Sequence, residues 1–136
     1  DRIEPFTTGV SEHFKRNFWK FPNYLRRLKK AGKIFNQVYN SYDVVVTPVL
    51  AHETTKIGYF SVDLPYEEIS KRVTTFVPFT AIQNVTGCPA ISLPMGVSQN
   101  GLPIGLQYCS ALGQEKMLLE LAYELEEAQP WKFIYN

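Results

Sequence analysis

The chain has 136 residues, 45% hydrophobic and 14% aromatic, which suits one packed domain and excludes disorder of the whole. A formal net charge of +1 points to no class of partner, and the longest apolar runs, such as Val44–Val46, exclude a membrane-spanning helix. Cys88 and Cys109 show no CxxC or Cys/His spacing, so no metal site is expected and a reduced, cytoplasmic pair is.

Asp1–Val10 reads as an irregular entry containing Pro5 and Gly9. It carries no secretory signal pattern, and a start at Asp1 is expected of a processed piece of a longer chain. Ser11 is placed to cap a helix over Glu12–Lys20. Pro22 suits the first turn of a longer helix, where its missing N–H is harmless. There Tyr24, Leu25, Leu28, Ala31, Phe35, Val38 and Tyr39 recur at steps of three and four, an amphipathic face. Between Lys15 and Lys33 every charged residue is basic, and on the long helix Arg26, Arg27, Lys29, Lys30 and Lys33 fall mostly opposite the apolar face.

Val44-Val45-Val46-Thr47-Pro48 is a β-branched run that reads as a buried, central strand stopped by Pro48. Ala51–Leu64 has no clear period and reads as a loop. Pro65 opens a helix to about Phe76, with Glu67 and Glu68 favourably placed near its positive end. Pro78 restarts a short helix over Phe79–Val85, which Gly87 ends. Ala90–Pro94 and Ile104–Cys109 read as strands, with the tight-turn pair Asn100-Gly101 between them. After Gly113 and Gln114, the stripe Met117, Leu118, Leu121, Ala122 and Leu125 marks a last helix that Pro130 ends, followed by a tail over Trp131–Asn136. The whole reads as α/β, a few-stranded mixed sheet covered by helices in one domain over residues 1–136.

No catalytic constellation is visible. Ser11, Ser41, Ser61, Ser70, Ser92, Ser98 and Ser110 include none in a Gly-x-Ser-x-Gly elbow or a Gly/Ser-rich run. Ser70 and Lys71 are adjacent on a helix, a spacing that points the two side chains apart. His13 and His52 have no carboxylate or cysteine partner at a useful spacing. Cys88, in a turn before Pro89, reads as packing, and Thr47 as a local hydrogen-bonding residue at a strand end. The basic stretch reads as a solvated helix face. Its interleaved aromatics, Phe14, Phe18, Trp19, Phe21 and Tyr24, read as an apolar face against a core rather than a nucleic-acid platform. Neither nucleic acid nor membrane is expected as a partner.

The most specific feature is an ordered set of turns. Thr86-Gly87-Cys88-Pro89 precedes Leu93-Pro94-Met95-Gly96, and Asn100 to Gln107 reads Asn-Gly-Leu-Pro-Ile-Gly-Leu-Gln. With the Tyr42-Asp43-Val44-Val45-Val46-Thr47-Pro48 strand and the glutamate-rich last helix, this resembles the C-terminal part of the amidase signature family over about Leu25–Glu127. Members of that family, which include fatty acid amide hydrolase and the amidotransferase A subunit, act on amide bonds. The resemblance implies a catalytic serine, a second serine in a cis peptide and a lysine, all in a segment upstream of this region, with no cofactor. It also implies that the helix before the Gly-x-Pro-Ala turn borders the channel for the substrate's acyl part. Phe79, Thr80, Gln83 and Asn84 are then the candidate substrate-binding residues, with Thr80, Gln83 and Asn84 on one side of the helix. Asn84 has a second reading, as a tie for the Thr86-Gly87 turn.

The implied partners are a small amide substrate and the N-terminal catalytic portion of the same protein. The isolated piece is expected to be catalytically silent. An open sheet edge on it would favour a homo-oligomer. Two other readings stay open: a stand-alone binding module derived from an amidase, and part of a tRNA-dependent amidotransferase subunit.

Overall fold

A computed structural model describes residues 4–131. Helix α1 spans Pro5–Asn17 and is followed by a 3-10 turn at Phe18–Lys20. Helix α2 spans Phe21–Asn36 and tightens into a second 3-10 turn at Gln37–Asn40. Strand β1 (Val44–Pro48), helix α3 (Tyr66–Phe76), helix α4 (Ala81–Thr86), strands β2 (Ala90–Val97) and β3 (Pro103–Ser110), and helix α5 (Glu115–Ala128) complete it.

Residues 4–10 differ from the expectation. Pro5 sits at the start of a helix after an extended Glu4, and Ser11 lies inside that helix instead of capping it. Gly9 is small because Tyr66 of α3 occupies the space a Cβ would need. Phe6 and His13 flank the same ring, each with its centroid 5.7 Å from that of Tyr66, so α1 packs across α3. The apolar face of α2 is less covered than expected: Tyr24, Leu25 and Leu28 are exposed, and Phe18 at the turn is 60% exposed. Phe14 and Phe18 pack edge to face, and Phe18 lies parallel to Phe21.

The sheet has three strands in the order β1-β3-β2 and is wholly antiparallel, not mixed. The central strand is β3, and the valine run of β1 lies at an edge with Val46 49% exposed. Its β-branched composition fixed strand character but not position, because position depends on which segment pairs with its free side. The β2–β3 register steps from Pro94↔Gly105 to Gly96↔Ile104, a bulge that leaves Met95 unpaired. At the hairpin tip the Ser98 hydroxyl accepts from the Asn100 and Leu102 amides at 3.3 and 3.2 Å.

Side chains alternate across the sheet. One face carries Leu93 and Tyr108 against Leu118 and Ala122 of α5, with Val44, Ile91, Leu106, Leu121 and Leu125 around them. That is the stripe expected of the last helix. The other face carries Gln107 and Cys109 and meets α4. Only Trp131 of the expected tail lies within the described residues. The loop before α3 is stitched by Arg72, which bonds Glu68 at 2.7 Å and the Tyr59 carbonyl at 2.6 Å.

Candidate functional site

Helix α4 runs along the polar face of the sheet and ends at Gly87, whose φ of 73° is left-handed and needs no Cβ there. The Gly87 amide donates to the Gln83 carbonyl at 2.8 Å. The Thr86 hydroxyl accepts from the Cys88 amide at 3.2 Å. The turn is therefore tied by Thr86, while the Asn84 side chain makes no hydrogen bond among the described residues. Cys88 is buried as expected and its thiol donates to Asn36 Oδ1 of α2 at 3.1 Å.

A shallow concavity of about 450 Å³ opens beside this turn, lined by Gln83, Asn84, Gly87, Cys88 and Ala90. Gln83 and Asn84 thus share one surface feature. Phe79 and Thr80 do not line it; they are half-buried just before α4. Gln83 is 8% exposed and inserts its carboxamide under the helix. Oriented so that its NH2 donates to the Thr80 and Phe79 carbonyls at 3.1 and 3.3 Å, its oxygen accepts from Gln107 Nε2 at 3.2 Å, and the two amide nitrogens lie 3.0 Å apart. The single polar side expected from helix spacing is therefore split: Asn84 faces solvent and Gln83 faces the sheet.

Cys109 is fully buried beside these amides, with Gln107 Nε2 at 3.1 Å from its sulfur. Burial pushes the thiol up from its usual range, against the opposing pull of the hydrogen bond from Gln107. It is held neutral and is no nucleophile. Tyr39 closes the same region. Burial, with Cys109 and Cys88 nearby, pushes its phenol up to about 12. Its hydroxyl and that of Thr47 are buried without a partner among the described residues, so Thr47 does not make the local bond expected of it. Gln107 and Cys109 belong to this region although neither was among the site residues expected from the sequence. Their signal was polar residues at period two on the middle strand, opposite the apolar positions Leu106 and Tyr108.

A second concavity of about 290 Å³ lies between the loop after β1 and the hairpin, with His52, Glu53, Ser92 and Gly105 in its lining. His52 Nδ1 lies 2.9 Å from the Glu53 carbonyl oxygen, and the ring packs on Phe76 with centroids 4.8 Å apart. Hydrogen bonds from Ser98 and Asn100 hold the exposed Glu53 carboxyl below its usual range. No serine hydroxyl bonds a lysine amine and no cluster of metal-ligating side chains occurs among the described residues.

Residues 2–119 match the family model described as Amidase. The chain belongs to the amidase family. It is 42% identical over 130 residues to AmiC of Mycobacterium leprae (strain TN), a match spanning 96% of this chain and 28% of that protein. It is 36% identical over 108 residues to the 6-aminohexanoate-cyclic-dimer hydrolase of Paenarthrobacter ureafaciens, over 74% of this chain and 22% of the hydrolase. A solved structure of 6-aminohexanoate cyclic dimer hydrolase superposes with a TM-score of 0.68 at 36% identity, covering 85% of this chain and 25% of that one. The A subunit of glutamyl-tRNA(Gln) amidotransferase from Thermotoga maritima superposes equally well, TM-score 0.68, at 26% identity over 93% of this chain and 26% of its own. The amidase resemblance and the α/β class read from the sequence both hold. The chain spans about a quarter of the length of these relatives.

Proposed function

We propose that these residues are part of an amidase that hydrolyses the carbon–nitrogen bond of carboxamides, and that α4 and its turn form part of the wall of the acyl pocket. The observation that carries this is the family match over residues 2–119, joined to superposition on a hydrolase of the same family at 36% identity. The concavity beside Gln83 and Asn84 supports the wall, since it combines a carboxamide rim with the small residues Gly87 and Ala90. Phe79 and Thr80 contribute through the backbone that opens α4 and through their half-buried side chains.

In this reading the serine, cis-serine and lysine of the family come from a separate part of the same protein, with no metal or organic cofactor. The residues described here exclude water and shape the acyl side; they do not attack the amide. The surface of the chain agrees with a large covering partner. Its accessible area is 10583 Å², against roughly 7,200 Å² for a compact monomer of this mass by the usual scaling. Val46 on the open edge of β1 and Trp19 at the tip of α1–α2 are among the exposed apolar side chains. Among the described residues no helix is long and apolar enough to cross a membrane. The two buried free thiols fit a reducing, cytoplasmic setting.

The test is amine or ammonia release from a panel of linear and cyclic carboxamides by the full-length polypeptide, beside residues 1–136 alone. Turnover by the former and none by the latter is expected. Turnover by the 136 residues alone would sink the division of labour, and no turnover by the full polypeptide would favour a binding module.

A further inference from the structure

Gln107 stands at the centre of the sheet. On β3 it is paired with Thr47 of β1 on one side and Ser92 of β2 on the other, and it is 6% exposed. A strand held from both sides moves little, so its side chain is a fixed point relative to the helices. From that point Nε2 donates to the Gln83 carboxamide oxygen at 3.2 Å, and the Gln83 NH2 donates to the carbonyls of Thr80 and Phe79. Among the described residues Thr80, at the capping position of α4, makes no side-chain capping bond. The turn at its other end is fixed separately, through Thr86 and the Asn36–Cys88 contact.

We propose that Gln107 is a positioning residue for substrate selection. It orients Gln83, and through Gln83 it sets where the Phe79–Thr80 backbone stands and which acyl groups the α4 wall admits. This rests on the reading of α4 as an acyl-pocket wall. Gln107 touches no substrate in this scheme. Its effect passes through one carboxamide in an interior where hydrogen bonds are costly to lose.

The experiment uses the full-length protein and linear primary carboxamides from acetamide to octanamide. Gln107→Met keeps the length and volume of the side chain and removes the donor. The ratio of kcat/KM between long and short amides should shift by about fivefold or more, mainly through KM, the size expected when a pocket wall moves by a fraction of a side chain. The double variant Gln83→Met/Gln107→Met should show the profile of Gln83→Met alone, because one residue acts through the other. A wild-type profile in Gln107→Met, or two independent effects that add in the double variant, overturns the inference. Should Gln107→Met not accumulate as folded protein, Gln107→Leu is read against the same criteria. Thr80→Ala and Asn84→Ala run in parallel. If they change the profile and the Gln107 variants do not, only the inference fails. If none changes it, or no amide is hydrolysed, the wall reading fails and takes the inference with it.

Discussion

Tyr39, near Cys88 and Cys109, has a buried hydroxyl without a partner among the described residues. A buried hydroxyl without a bond has lost its hydration for nothing, so Tyr39→Phe is expected to be neutral or to stabilise by up to about 1 kcal/mol. Urea unfolding midpoints of the two forms measure it, and a loss of stability would show that the hydroxyl finds a partner in solution. The same burial raises the folded pKa to about 12 from an ordinary value of 10.0. A raised value means that the contribution of the neutral phenol is fully present below pH 10 and is lost as pH rises from 10 towards 12. The alkaline decline in stability over that window should therefore be shallower in Tyr39→Phe. At this scale the sequence was legible where a residue's role is local. Gly87 and Cys88 behave as their turn and burial chemistry require. Gln83 was not legible, because its direction is decided by Gln107, a residue 24 positions away that reaches it only once β3 is in place.

Helix α1 shows how an element is missed. Gly9 and Pro5 argue locally against a helix, since glycine costs about 1 kcal/mol in a helix interior relative to alanine. The structure places Pro5 at the first turn, where it is harmless, and Gly9 against Tyr66, where a side chain would collide. The local penalty is accepted so that α1 can approach α3. Gly9→Ala should therefore destabilise by about 1–3 kcal/mol, although alanine is the better helix former. Gly9→Ala combined with Tyr66→Gly should recover most of the difference relative to Tyr66→Gly alone, because the Tyr66 Cβ and Cγ that the added methyl would meet are then gone. Thermal unfolding of the four forms closes the cycle. Stabilisation by Gly9→Ala in the presence of Tyr66 would mean that α1 does not pack there. Strand β1 was misplaced for a related reason. Its valines announce a strand, but only the pairing Val45↔Cys109 and its neighbours shows which side is occupied, and long-range pairing leaves no mark in the strand itself. Helix α5, whose apolar stripe and Pro130 stop are both local, packs through Leu118, Leu121, Ala122 and Leu125 of the expected stripe, with Met117 outside the core cluster.

The molecule as a whole carries more surface than its mass accounts for. The difference between 10583 Å² and the scaled value is about 3,300 Å² on one chain, well above the roughly 800 Å² that each partner gives to a standard interface. The excess is not spread as scattered single residues. Trp19 is 75% exposed at the tip of α1–α2, Tyr123 is 72% exposed on the side of α5 away from the sheet, and β1 presents an unpaired edge. Three separate elements with apolar side chains outward are what a piece surrounded on several sides by the rest of an enzyme would show. A single docking patch would concentrate them on one. Expressed alone, residues 1–136 have no such cover, and water contact with that area favours association through the open edge and the aromatic tip. The expected outcome is concentration-dependent mass in light scattering and binding of a hydrophobic dye, both absent in the full-length polypeptide. Val46→Lys should reduce the association of the isolated chain by charging the edge, while leaving the α5 side of the core intact, since Val46 lies outside the buried cluster. A monodisperse, dye-silent monomer of 136 residues would mean that the chain buries its apolar surface by itself. The covering partner inferred from the surface excess would then have no physical basis.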